Sequence, residues 1–264
     1  MKNKSDSNVS RSAKAAPDIK TRKTRRVAAE LEEFLGIPSK PSRSEPPLEC
    51  LIATLLSQNT NDRNSHQAWM TLRKRFPTWQ RVADAPTRLL AKAIEVGGLK
   101  NQKARRIKQI LRGIKRRVGK YDLSDLKRKS EQEVLEYLTS MDGVGLKTAA
   151  CVLVFSLGRE VFPVDTHIHR ICNRLGLVRT KNAEETFHAM QPIVPKRKSY
   201  SFHVNLIRFG RSVCKARNPL CGVCPLFDLC VYPAKERFAE ETPRGARSKR
   251  TDADFMILHN LAVS

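Results

Sequence analysis

The segment "CKARNPLCGVCPLFDLC", residues 214–230, limits the possible folds more than any other stretch. It sets Cys214, Cys221, Cys224 and Cys230 in a C-x6-C-x2-C-x5-C pattern. Four thiolates so close in sequence can close around one metal centre. Zinc usually appears with two C-x2-C knuckles, and only one such pair is present. The bacterial ferredoxin run C-x2-C-x2-C-x3-C is absent too. The spacing therefore predicts a metal or cluster site and leaves its occupant open. Cys50, Cys151 and Cys172 stand singly in apolar segments and read as core residues.

A thiolate site of this kind suits a reducing compartment. The opening stretch "MKNKSDSNVSRSAKAAPDIKTRKTRR" is basic with no apolar run behind it, so it does not read as a secretory signal. A cytoplasmic or nucleoid location is expected. No apolar run approaches the roughly 18 residues that cross a bilayer. Lys and Arg total 50 against 26 acidic residues, a net charge of +24. Such a surplus attracts polyanions, with nucleic acid the leading candidate. Residues 1–26 alone carry nine basic and two acidic side chains. They read as a disordered arm that adds sequence-independent affinity.

Between the ends the periodicity is helical. "RVAAELEEFLG" puts Val27, Leu31 and Leu35 on one face, and "LECLIATLLS" is apolar on nearly all sides. "KARRIKQILRGIKRRVG" aligns Ile107, Ile110, Leu111, Ile114 and Val118, with eight Lys or Arg residues expected on the remaining surface. Ser130 and Glu133 match a capping box. "TAACVLVFSLG" is a further apolar helix stopped by Gly158. No alternating strand pattern recurs, so the fold is expected to be all-α.

The densest chemistry lies in "MDGVGLKTAACVLVFSLGREVFPVDTHIHR", residues 141–170. Gly143 and Gly145 are expected to allow positive φ and close approach of the backbone to another surface. Amide groups at the following helix start can hold a phosphate oxygen. Lys147 falls in the first turn of that helix. The helix dipole and burial should both depress its pKa, giving an amine nucleophile. Asp165 reads either as that amine's partner or as the N-cap of the helix "THIHRICNRLG", and the two roles are compatible.

Together "DGVGLKTAA", "VDTHIHRICNRLG" and the cysteine pattern resemble the endonuclease III family of helix–hairpin–helix DNA glycosylases. The resemblance runs from about Thr24 to Tyr232. It implies two helical domains flanking a DNA cleft, a six-helix barrel with the helix–hairpin–helix and a [4Fe–4S] cluster domain. The chain then divides into a disordered basic arm (1–23), a helix packing on the cluster domain (24–44), the barrel (45–158), the cluster domain (159–232) and a C-terminal tail (233–264). The implied activity is a bifunctional glycosylase and AP lyase, acting as a monomer on oxidised pyrimidines or abasic sites in duplex DNA. Lys147 and Asp165 match the catalytic positions, and Cys214, Cys221, Cys224 and Cys230 the ligands of one [4Fe–4S] cluster. Gln58, Asn59 and Leu99 match the side chains that fill the gap left by a flipped nucleotide. Gly143, Val144, Gly145, Thr148 and His167 complete the expected DNA contacts.

Two positions depart from the family pattern. Asn59 stands where glutamine is usual, and its shorter amide reaches less far. Asp142 stands where proline is common, and a carboxylate there should weaken phosphate binding. A mismatch-type thymine or uracil glycosylase shares the scaffold, but Lys147 occupies a position where that type usually carries another residue. An adenine glycosylase carries an extra recognition domain that the residues after Tyr232 are too few to form. From a different class, the rival is a non-catalytic iron–sulfur DNA-binding protein.

Overall fold

The computed structural model describes residues 18–39 and 45–246. Its helices are α1 (Ile19–Leu35), α2 (Pro47–Leu56), α3 (Asp62–Arg75), α4 (Trp79–Asp84), α5 (Thr87–Ala93), α6 (Lys100–Val118), α7 (Glu131–Thr139), α8 (Leu146–Cys151), α9 (Thr166–Arg174), α10 (Ala183–Met190), α11 (Ser199–Ser212) and α12 (Lys235–Glu240). The described residues include no strand, so the fold is all-α as expected. None of their helices is long and apolar enough to cross a membrane.

Helix α2 is buried at every position but Glu49, because apolar residues surround its axis. It packs against α3, α6 and α8 and forms the centre of the core. Helix α7 opens with the predicted capping box, Ser130 and Glu133 each bonding the other's backbone N–H. Helix α8 runs on into a π-helical turn, Val152–Ser156, whose residues are all buried.

Helix α1 begins at Ile19, inside the stretch expected to be disordered, whose first 17 residues lie outside the described ones. The physical reason is its buried stripe of Thr24, Val27, Ala28 and Leu31, which packs on α11. Lys and Arg between those positions are good helix formers and stay in solvent. Leu35 is only partly buried. The apolar end "FMILHNLAVS" also lies outside the described residues.

The amphipathic reading of α6 needs correction. Ile107, Ile110, Leu111 and Ile114 are buried as expected, and Val118 partly so. Two of the eight basic residues expected on its surface are not there: Lys103 and Lys108 are buried. Both ammonium groups end on backbone carbonyls, of Leu56 and Gly97 for Lys103 and of Ala85 for Lys108. A charge can enter the interior when fixed acceptors replace its water.

Candidate active site and nucleic-acid interface

The hairpin turn of residues 141–145 joins α7 to α8. Its sharp step is Gly143, at φ +79°. A Cβ there would lie 2.6 Å from the Arg106 side chain of α6, so sterics demand glycine twice over. Gly145 differs from expectation: its φ is −85°, ordinary for any residue. A Cβ on Gly145 would meet nothing within 4 Å, so no neighbour among the described residues requires glycine there.

Lys147 sits half-buried in the first turn of α8, one helical turn before Cys151. Burial pushes its ammonium down, but the Cys151 sulfur and the Asp165 carboxylate push it up further, so the pKa rests above the usual lysine range. This reverses the expectation of a depressed amine, which counted the dipole and burial but not two acidic neighbours. Burial pushes the Cys151 thiol up, with Lys147 pulling the other way. Cys50, on α2, donates to the Cys151 carbonyl at 3.9 Å.

Asp165 is the N-cap of α9, its Oδ1 accepting from the Ile168 N–H at 2.8 Å. The cap fixes one oxygen while the carboxylate still acts on Lys147. The N-cap reading of Asp165 therefore holds, and its charge bears on Lys147 from that capped position.

The other expected contacts divide into two groups. Gln58 donates from Nε2 to Thr148 Oγ1 at 3.2 Å, which places the loop after α2 against α8. Asn59 is exposed at φ 51°, and Leu99 is 50% exposed at φ 47°. Positive φ is costly for residues with a Cβ, and here it presents two side chains outward. Val144 and Thr148, by contrast, are buried, at 4% and 3% exposure. Their side chains serve the core, while Asp142 and Gly145 of the same turn are exposed. Half-buried His167 stacks on Gly210, where a Cβ would fall 2.9 Å from its ring nitrogen. Burial lowers its pKa, with Asp165 opposing.

The four clustered thiols occupy one half-buried loop. Burial raises Cys224 to about 12, and the charges of Cys214, Cys230 and Cys221 add to the rise. Cys221 and Cys230 are raised as well, by burial first and then by Cys214. The sulfurs thus feel one another. Yet among the described residues no three His, Cys, Asp or Glu side chains converge tightly enough for a single ion. Four cysteines on one half-buried loop suit an iron–sulfur group, whose usual ligands are four cysteine thiolates.

Several residues that hold this loop escaped the sequence reading. Arg170 donates to the carbonyls of Gly210 and Cys214, and Arg174 to those of Lys215 and Ala216. Arg174 also reaches the Cys214 sulfur at 3.5 Å and stacks on Tyr232, 4.3 Å from its centroid. Lys235 of α12 bonds the carbonyls of Phe227 and Cys230, and Thr242 accepts from the Gly222 N–H. The four-residue spacing of Arg170 and Arg174 was the available signal. Arg211, just before the cysteine loop, pairs with Asp62 at the start of α3.

Residues 52–196 match the family model of the HhH-GPD superfamily base excision DNA repair protein, and residues 214–230 that of the iron–sulfur binding domain of endonuclease III. Endonuclease III of Thermotoga maritima is 37% identical over 186 residues, covering 70% of this chain and 83% of its own. Among solved structures, a non-covalent endonuclease III–DNA complex superposes with a TM-score of 0.69 at 29% identity, covering 82% of this chain and 97% of that one. A trapped endonuclease III–DNA covalent intermediate matches with the same score and identity, over 98% of that chain.

Proposed function

Because the chain belongs to the HhH-GPD superfamily of base excision DNA repair proteins, we propose that its Lys147–Asp165 pair runs the reaction of a DNA glycosylase with AP lyase activity. The activity class follows from the endonuclease III relatives and their DNA complexes. The assignment of residues rests on one observation: Lys147 and Asp165 act on each other at the mouth of the hairpin. The barrel (45–158) and the cluster unit (159–232) flank the cleft, and the chain works as a monomer inside the cell.

The hairpin backbone at Gly143–Gly145 takes a phosphate of the damaged strand, and the target nucleotide leaves the stack. Asn59 and Leu99 enter the gap. Near Leu99 opens a cavity of about 570 Å³ lined by Arg88, Lys92, Arg105 and the Lys100–Glu95 ion pair, a largely basic second seat for the phosphate backbone.

Lys147 begins as an ammonium ion and must lose a proton before it attacks. Oδ1 of Asp165 is held by Ile168, which leaves Oδ2 to receive that proton and pass it on. The amine attacks C1′, and the C1′–N bond breaks as the base departs. Asp165 stabilises the positive charge that builds on the sugar. The nitrogen now on C1′ gives up a proton, the C1′–O4′ bond breaks as O4′ takes one, and the resulting ring-opened iminium acidifies C2′–H. Loss of that proton breaks the C3′–O bond, and water then frees Lys147. The preferred substrates are oxidised pyrimidines in duplex DNA. Cys214, Cys221, Cys224 and Cys230 hold one [4Fe–4S] cluster, which when bound supplies the bonds that shape the basic loop.

Borohydride trapping on an abasic-site duplex tests the assignment. A covalent adduct is expected with the wild-type chain and none with Lys147→Ala. Persistence of the adduct in that variant would move the nucleophile elsewhere. A panel of lesions in defined duplexes then tests the preference for oxidised pyrimidines.

A further inference from the structure

Lys103 is 2% exposed, and its ammonium donates to two backbone carbonyls, Leu56 O and Gly97 O, at 2.7 Å each. Those carbonyls are not arbitrary. Leu56 is the last residue of α2, and Gly97 closes the short 3-10 turn Glu95–Gly97. Carbonyls at helical ends lack partners within the helix and carry the negative end of its dipole. One cation therefore caps two such ends. The Lys103 N–H also bonds Leu99 O at 2.9 Å, as the first closed turn of α6.

From each capped carbonyl a loop departs. The loop after Leu56 carries Gln58 and Asn59, and the one after Gly97 carries Leu99. The two run side by side: a Cβ on Gly97 would lie 3.9 Å from Leu56 O, and one on Gly98 would lie 3.8 Å from Asn59 O. Both tips use left-handed backbone at a non-glycine residue, Asn59 and Leu99. Such conformations persist only where the surroundings over-determine them. Burial drives the Lys103 ammonium down to about 8, a cost that a surface lysine at this helical position would avoid.

We propose that Lys103 is a positioning residue: its ammonium locks the Asn59 and Leu99 loops together, so that both tips enter the duplex as one rigid wedge. The assignment rests on the glycosylase reading above and adds to it the part that aims the wedge. Lys103 touches neither base nor sugar. It acts through Leu99 and Asn59.

The test is Lys103→Met, which keeps length and apolar stem but removes the donors. Single-turnover base removal is measured on a lesion paired in duplex DNA and on the same lesion in a single strand, where no gap needs filling. Duplex excision should fall on the order of 10- to 100-fold, the scale of a misplaced reacting group. Single-strand excision should stay within about threefold, well inside that scale. In a Leu99→Ala background the duplex loss should shrink to a small residue, because the two changes remove one function. Equal losses on both substrates, or full additivity with Leu99→Ala, overturn the assignment. If Lys103→Met does not fold, Lys103→Gln, which keeps one donor arm, is compared on the same substrates against the same criteria. Wild-type excision is the control. Its absence would sink the glycosylase reading, whereas wild-type activity with equal losses sinks only the role of Lys103.

Discussion

The seven cysteines fall into two regions that treat a thiol in opposite ways. Cys50, Cys151 and Cys172 lie on α2, α8 and α9 with 0–1% exposure. Burial is the main cause that raises each of them; it keeps Cys50 and Cys172 protonated, while Lys147 opposes it at Cys151. Cys214, Cys221, Cys224 and Cys230 lie in a half-exposed loop whose regular structure is one 3-10 turn, Cys221–Val223. Of the apolar residues there, Val213 and Leu226 are fully buried. Apolar burial therefore holds the helices, while the loop is held mainly by polar bonds from Arg170, Arg174 and Lys235 to its carbonyls. A core can silence a thiol, but convergence of thiols without a core makes ligands.

Iron removal should break this comparison most visibly. Chelation, or Cys224→Ser, should bleach the iron–sulfur absorbance and cost about 4–5 kcal/mol or more, the range of a lost structural metal. Far-ultraviolet circular dichroism should keep most of the helical signal. Collapse of that signal together with the absorbance would mean that the helical core also depends on iron.

The converse substitution is Cys172→Ser. A hydroxyl placed among apolar neighbours should cost about 1–3 kcal/mol and leave the iron content unchanged. Loss of iron from this variant would show that the two regions are not separate.

The smallest effect concerns pH. The raised thiols of Cys50 and Cys172 bind protons in the folded chain that the unfolded chain releases above about 9. The folded state is therefore the more protonated one, and stability falls as pH rises past that point. The expected slope is roughly 1.4 kcal/mol per pH unit for each thiol. Denaturant melts between pH 8 and 10.5, with Cys172→Ala as reference, measure it. An unchanged slope in that variant removes Cys172 from the account.

Much of the architecture was legible in the sequence because its signals are local. The apolar span of α2, the capping box at Ser130 and the turn at Gly143 each follow from a few adjacent residues. The cysteine spacing and the order hairpin, lysine, aspartate were equally plain. What stayed hidden depends on pairs far apart in the chain. A heptad-like pattern marks Lys103 as polar and therefore as surface, and only the tertiary position of Leu56 and Gly97 gives its charge a buried home. Lys147 was misjudged for the same reason, since its ammonium is set by Cys151 and by Asp165 across the site. Val144 and Thr148 lie in the hairpin segment, yet their side chains turn inward. At the N-terminus the stripe at Val27 and Leu31 was legible, but charge concealed the first turn of α1, which starts at Ile19 inside the stretch read as a disordered arm.

Helix α9 starts at the capping Asp165 and ends at Arg174, whose guanidinium holds the backbone of the cysteine loop. Nine helical residues span about 14 Å and transmit displacement as a stiff rod. Slack at the iron end therefore becomes tilt at the carboxylate end, with no substrate involved.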